Sequence, residues 1–264
     1  MSQKKLFLLD GMALIYRAFF AFSQNPRITS YGLNTNAMFG FVNTLLDVIN
    51  KQKPTHLACV FDTSAPTERH DVYEKYKAHR EEMPEDLAKS LPYIFKILEA
   101  FNIPCITFDG YEADDIIASI AVKLAQHGQQ VTIVSTDKGF LPLLSQHIQI
   151  YDAFARQHQT EEAVQQKFGV STAQLVRYWS LVGDSTNNIP GVNGIGPKGA
   201  HDLLALGATL TEALEHPDCH KKLREKILQH KEQIKVFMQI LALKTDVQLG
   251  LNLQDMRIQP VVAP

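Results

Sequence analysis

Acids recur in this chain directly after short apolar runs: Asp10 after residues 6–9, Asp62 after residues 56–61, and Asp137 after the β-branched run 131–136. A fourth run, 104–108, leads through Asp109-Gly110-Tyr111 into Glu112-Ala113-Asp114-Asp115. A single aspartate at a strand end is commonly a helix cap or a turn former. Asp10, Asp62, Glu112, Asp114 and Asp115 together would repel one another, so gathering them makes physical sense chiefly with hard divalent cations, Mg²⁺ or Mn²⁺, between them.

The elements that must position these acids follow from the pattern. Each apolar run leads into a helix-like segment, residues 116–126 after the Glu112 cluster among them, and this alternation predicts an α/β fold with a mainly parallel central sheet flanked by helices. Such sheets gather ligands at the carboxyl ends of their strands, where the acids stand. From about residue 160 the pattern turns helical without strands, over 161–168 and 172–182, then a glycine-rich turn, then helices to about 244. The expected organisation is an α/β core over 1–160 and a helical subdomain over 161–264.

The glycine-rich turn contains Gly194, Gly196 and Gly199 in a literal GxGxxG, but Asn187-Asn188-Ile189-Pro190 precedes it where a dinucleotide fold needs a strand, and Pro197 stands where a P-loop needs lysine. A hairpin between helices 172–182 and 200–206 fits instead. Its backbone amides, with Lys198, suit a nucleic-acid phosphate. A basic run follows at 220–235, which carries Lys221, Lys222, Arg224, Lys226, Lys231 and Lys235 against Glu225 and Glu232. It reads as a solvated helix face or as an extension of that phosphate track.

Between the second strand and the next helix, Arg69, Tyr73, Tyr76, Lys77 and Arg80 fall on one face if residues 69–80 are helical. That face either stacks on bases and holds phosphates or packs its tyrosines on the core. The rest of the composition narrows the function classes. At 264 residues and 45% hydrophobic, the chain supports one large domain with an appendage, and its net charge of −2 leaves any nucleic-acid surface to local basic patches. Cys59, Cys105 and Cys219 are far apart without CxxC spacing, and His216, Cys219 and His220 lack a fourth ligand for zinc. No apolar run approaches a membrane span and the N-terminus lacks signal-peptide order, which places the chain in the cytoplasm with no membrane partner.

Taken together, the motifs resemble the 5′-nuclease (flap endonuclease) family, in particular the branch at the N-terminus of bacterial DNA polymerase I. They are Leu8-Leu9-Asp10-Gly11 with Tyr16-Arg17, Phe61-Asp62, Arg69-His70 with Tyr76-Lys77-Ala78-His79-Arg80, Gly110-Tyr111-Glu112-Ala113-Asp114-Asp115, Thr136-Asp137-Lys138, Gly183-Asp184-Ser185 and Gly194-Ile195-Gly196-Pro197-Lys198. The resemblance runs from Leu6 to about Arg257. It implies a PIN-like core with a helical arch at about 64–90 and a helix–three-turn–helix motif at about 172–207. The implied activity is a metal-dependent 5′-3′ exonuclease or flap endonuclease acting in replication and repair on DNA with a 5′ flap, nick or single-stranded 5′ end. It implies a monomer, with a polymerase domain or repair proteins as partners. By the same resemblance Asp10, Asp62, Glu112, Asp114 and Asp115 form a first metal site, and Asp137 and Asp184 remain of a second. Lys77 and Arg80 contact the reacting phosphate, Asp114 belongs to the catalytic set, Arg69 and Tyr76 join the DNA surface, and Gly194, Gly196 and Lys198 form a hairpin that also binds K⁺.

The departures fall mainly on the second site. Where the family has Asp-Lys-Asp this chain has Asp137-Lys138-Gly139, and where it has Gly-Asp-x-x-Asp this chain has Gly183-Asp184-Ser185-Thr186-Asn187, a depletion similar to the stand-alone exonuclease IX type. Glu68 stands where an aromatic often precedes the matching arginine. The alternative is thus a flap-DNA-binding protein with weak or lost hydrolysis. A phosphatase using Asp10 as nucleophile would need an aspartate at Met12.

Overall fold

The computed structural model describes residues 4–259. Six strands form one sheet: β1 Lys5–Asp10, β2 His56–Val60, β3 Cys105–Ile106, β4 Gln130–Val134, β5 Ile148–Asp152 and β6 Gln157–His158. Their order across the sheet is β3-β2-β1-β4-β5-β6, parallel throughout except for the antiparallel β5–β6 pair at one edge. The expected α/β class and all four anticipated strands are present, and β5 and β6 extend the sheet. β1 and β2 are apolar on both faces because helices cover both sides, which removes the in–out alternation of a half-exposed strand.

Helices follow the strands: α1 Gly11–Ala21, α2 Asn36–Asp47, α3 Glu68–Val72, α4 Glu85–Ala100 and α5 Ala113–Gln126. The helical region comprises α6 Glu161–Phe168, α7 Leu175–Val182, α8 Pro197–Leu204, α9 Leu210–Glu215, α10 Lys221–Gln229 and α11 Lys231–Leu241. It is not packed as a separate body. One apolar cluster runs from Leu8 and Ile133 of the sheet through Ile117 of α5 to Trp179 of α7 and Phe237 of α11, so the sequence boundary near 160 crosses a continuous core.

Residues 69–80 depart from the expected single helix. α3 has only five residues, Tyr73 is extended, Lys77 adopts φ +53°, and 80–84 carry no regular structure before α4. The reason is inward anchoring. Arg69 and Tyr76 are buried and Tyr73 meets Phe237 edge-on at 5.7 Å, so the side chains that a helix would hold on one outer face are pulled onto the core.

At the opposite end of the sheet the chain closes on Thr55. Lys5 N donates to its Oγ1 at 2.8 Å, Thr55 N donates to Lys5 O at 3.0 Å, and Ile258 N donates to Thr55 O at 3.1 Å.

Gly183 and Gly191 bring the two ends of the pre-hairpin loop together. Gly191 has φ +71°, and a Cβ there would stand 2.4 Å from Gly183 N and 2.6 Å from Leu181 O, both backbone atoms that cannot swing aside. Gly191→Ala is therefore expected to destabilise the fold by about 1–3 kcal/mol or more, which urea unfolding measures as a lowered midpoint.

Candidate metal and nucleic-acid site

Parallel topology brings Asp10, Asp62, Glu112, Asp114 and Asp137 to the same end of the sheet, at strand ends or at the helix starts that follow. Asp10 is also the cap of α1: its Oδ1 accepts from Ala13 N at 3.3 Å, and its Oδ2 accepts from Ser135 Oγ at 2.7 Å. Asp62 accepts from Ala113 N at 2.8 Å at the start of α5, whose first turn carries Asp114 and Asp115. Asp137 accepts from Gly139 N at 2.7 Å and caps the short helical turn after β4. Capping and site-building are thus performed by the same carboxylates, because strand ends and helix N-termini coincide here.

The electrostatics divide the acids into two groups. Burial, opposed by the Ser135 hydrogen bond and reinforced by the charges of Asp137 and Asp62, pushes Asp10 up to about 6. Burial and the charges of Asp10 and Asp137 push Asp114 well above the usual carboxylate range. Glu112 moves the other way, because Lys77 and Arg69 outweigh its burial. Lys77 Nζ donates to Glu112 Oε2 at 3.1 Å, and Tyr76 Oη donates to the same oxygen at 2.9 Å.

Asp115 does not join the first group. Arg69 holds it with two hydrogen bonds, Nη1 to Oδ2 at 2.5 Å and Nη2 to Oδ1 at 2.7 Å, and also donates to the carbonyls of Ile240 and Ala242. Asp115 is only 1% exposed. The expectation of a five-acid first site is corrected on this point, since a carboxylate with both oxygens bound by a buried guanidinium has little left to offer an ion. Arg69 and Tyr76 are corrected likewise as DNA contacts: both are buried and committed to this network. Among the described residues no three His, Cys, Asp or Glu side chains already stand as a complete metal cage.

The remaining residues lie where their roles predict or explain their departures. Arg80 is exposed and its charge reaches Tyr16 of α1. Asp184 is buried, where Lys138 pairs with its Oδ1 and Asn187 Nδ2 donates to its Oδ2 at 2.7 Å. The charge of Asp137 acts on both Asp10 and Asp114. Gly194, Gly196 and Lys198 are exposed around the start of α8, with Gly194 at φ +75°. Beside them a cleft of about 610 Å³ is lined by Gly194, Gly199, Lys222 and Lys226. A Cβ on Gly194 would lie 2.5 Å from Lys226 Nζ, so the basic run does reach the hairpin. Ser135 was not given a site role in the sequence, and Lys138 entered only as a member of the Asp137-Lys138-Gly139 motif. Ser135 sits at the same strand end as Asp137, which is the one signal that could have found it. Cys105, expected inside an apolar run, is exposed.

The donor set fits a hard divalent ion at Asp10 and Asp114, with Asp62 and Asp137 adjoining. Hydrogen bonds from Ser135, Ala13, Ala113 and Gly139 orient these oxygens without neutralising them, and their mutual repulsion is the cost that a cation offsets.

Two family matches cover nearly the whole chain: the 5′-3′ exonuclease N-terminal resolvase-like domain over residues 5–169, and the 5′-3′ exonuclease C-terminal SAM fold over 170–263. The chain belongs to the 5′-3′ exonuclease family. It is 42% identical to the flap endonuclease Xni of Colwellia psychrerythraea over 96% of this chain and 91% of that protein. It is 37% identical to a 5′-3′ exonuclease of Aquifex aeolicus, over 97% and 87% of the two chains. Against the DNA polymerase I of Bacillus caldotenax it is 36% identical but spans only 30% of that protein. The fold is that of T5 5′-exonuclease with bound zinc ions, TM-score 0.74 at 22% identity over 92% of this chain and 90% of that one. The catalytic core of Rad2 in complex with DNA is more distant, TM-score 0.55 at 17% identity over 93% and 80%.

Two predictions follow from the charge arrangement. Asp10 binds its proton more tightly folded than unfolded, so without divalent ions its contribution to stability falls as pH rises from the usual 3.8 to about 6. Asp10→Asn is expected to flatten that slope, by roughly 3 kcal/mol across the window at 1.36 kcal/mol per unit, as read from urea midpoints between pH 4 and pH 7. Arg69→Met strands the buried Asp115 charge and is expected to cost about 3–5 kcal/mol, with most of the loss recovered by adding Asp115→Leu. A double variant no more stable than Arg69→Met would refute the pairing account.

Proposed function

We propose that this chain is a structure-specific 5′-3′ exonuclease and flap endonuclease that hydrolyses phosphodiester bonds of flapped or nicked DNA with Mg²⁺, for which Mn²⁺ substitutes. The observation that carries this reading is the group of like charges at Asp10 and Asp114, adjoined by Asp62 and Asp137, beside Lys77. When bound, the ion supplies Lewis-acid polarisation of the phosphate and acidifies the attacking water.

The chain's own residues do the rest. Asp10 and Asp114 would hold the ion, and the hydrogen bonds from Ser135 and Ala13 fix the orientation of Asp10 before substrate arrives. Lys77 and Arg80 offset charge that develops on the phosphate oxygens. Lys77 must exchange Glu112 for that phosphate, a short movement because its ammonium already lies at the edge of the acids. Gly194, Gly196 and Lys198, with Lys226 beside them, hold the duplex backbone through exposed amides and ammonium groups, and a K⁺ ion at the hairpin completes this grip.

A second reading, flap binding with weakened hydrolysis, is favoured by the Lys138–Asp184 pair, which leaves Asp184 little capacity for a metal. A labelled 5′-flap duplex incubated with Mg²⁺ or Mn²⁺ separates the two. Cleavage is expected, reduced at least about 100-fold in Asp114→Ala and about 100-fold to 1,000-fold in Lys77→Ala. No cleavage with either ion, and an Asp114→Ala chain indistinguishable from wild type, would leave only the binding reading.

A further inference from the structure

Asp184, an acid of the expected metal set, is paired with a lysine. Its side chain is 1% exposed, in the loop between α7 and the glycine hairpin. An ionised carboxylate so far from water needs a compensating cation. The Lys138 ammonium lies against Oδ1 as an ion pair, without the directed geometry of a hydrogen bond. It also sits 5.3 Å from the centre of the Trp179 ring, whose face favours a cation. Asn187 Nδ2 donates to Oδ2 at 2.7 Å, turning its amide hydrogens, not its oxygen, toward the carboxylate. Both oxygens of Asp184 are thus occupied, and Gly139 adds no oxygen.

We infer that the Lys138 ammonium is the resident cation of this pocket, seated between Asp184 and Trp179 and taking up the carboxylate that a second divalent ion would use. Lys138 is thereby a positioning residue: it neutralises Asp184, keeps the loop 183–191 docked on α7, and restricts divalent ions to the group at Asp10 and Asp114. The pairing explains the departures in physical terms. With one ammonium facing one carboxylate the pocket is already neutral, so a further aspartate at 139 or 187 would add unpaired negative charge, and an amide donor at Asn187 serves Asp184 better than a second carboxylate would.

The inference rests on the reading of Asp10 and Asp114 as the divalent-ion site, and the test keeps the two apart. The full chain is titrated with Mn²⁺ while free Mn²⁺ is counted by electron paramagnetic resonance and emission is followed from Trp179, the single tryptophan. Wild type and Asp184→Asn are expected to bind the same number of Mn²⁺ ions. Lys138→Met is expected to bind one more ion per chain than wild type and to lose at least half of its Trp179 emission on Mn²⁺ addition, both effects disappearing when Asp184→Asn is added. Lys138→Arg, which keeps the charge, is expected to behave as wild type. The inference is overturned if Asp184→Asn binds one ion fewer than wild type, a comparison that requires no Lys138 variant, or if folded Lys138→Met keeps the wild-type count. Asp114→Ala addresses the other reading: if it binds as much Mn²⁺ as wild type, the Asp10 and Asp114 assignment fails while the Trp179 comparison still decides the role of Lys138.

Discussion

Like charges packed at one end of a parallel sheet are the constraint on which the rest of this structure depends. The order β3-β2-β1-β4 aligns the carboxyl ends of the strands, and three of these four strands lead into an acid of the group. Repulsion and burial raise Asp10 and Asp114 together. The fold tolerates this because each acid also caps a helix or turn, or lies in the first turn of one, where the macrodipole offsets part of the cost. What remains uncompensated is what a divalent cation would neutralise.

A second charge arrangement holds the first in place. Arg69 donates to five acceptor atoms on four residues from distant parts of the chain: both oxygens of Asp115, Glu112, and the carbonyls of Ile240 within α11 and Ala242 just after it. One guanidinium thereby ties the start of the arch segment, the N-terminal turn of α5 and the end of the helical region into a single unit. Its planar fork suits this task, and a lysine ammonium would not span the same acceptors. Lys77 and Tyr76 meet the same Glu112, so residues 69–77 and the start of α5 share one hydrogen-bonded network.

The sheet was legible in the sequence because buried parallel strands read as continuous apolar runs, and the acids were legible because they directly follow those runs. The glycine hairpin was legible from its residue types and context. The arch was not, since helical spacing of Arg69, Tyr76 and Lys77 cannot tell an outward face from one drawn inward by buried carboxylates 40 residues away. The division of the acids was also hidden. Nothing in the local pattern distinguishes Asp115, bound by Arg69, from its neighbour Asp114, nor shows that Lys138 pairs with Asp184 rather than reaching solvent. These are long-range pairings, and only tertiary geometry decides them.

The closure at Thr55 has a consequence for how the nuclease connects to other polypeptide. Lys5 and Ile258 meet the same residue at the amino-end pole of the sheet, while the acids stand at the opposite pole. Anything tethered through either end of the described chain is therefore anchored on the back of the molecule. A polypeptide joined at either of these points would thus leave from the pole away from the acids, and its linker would have to span the length of the strands before it came near those acids.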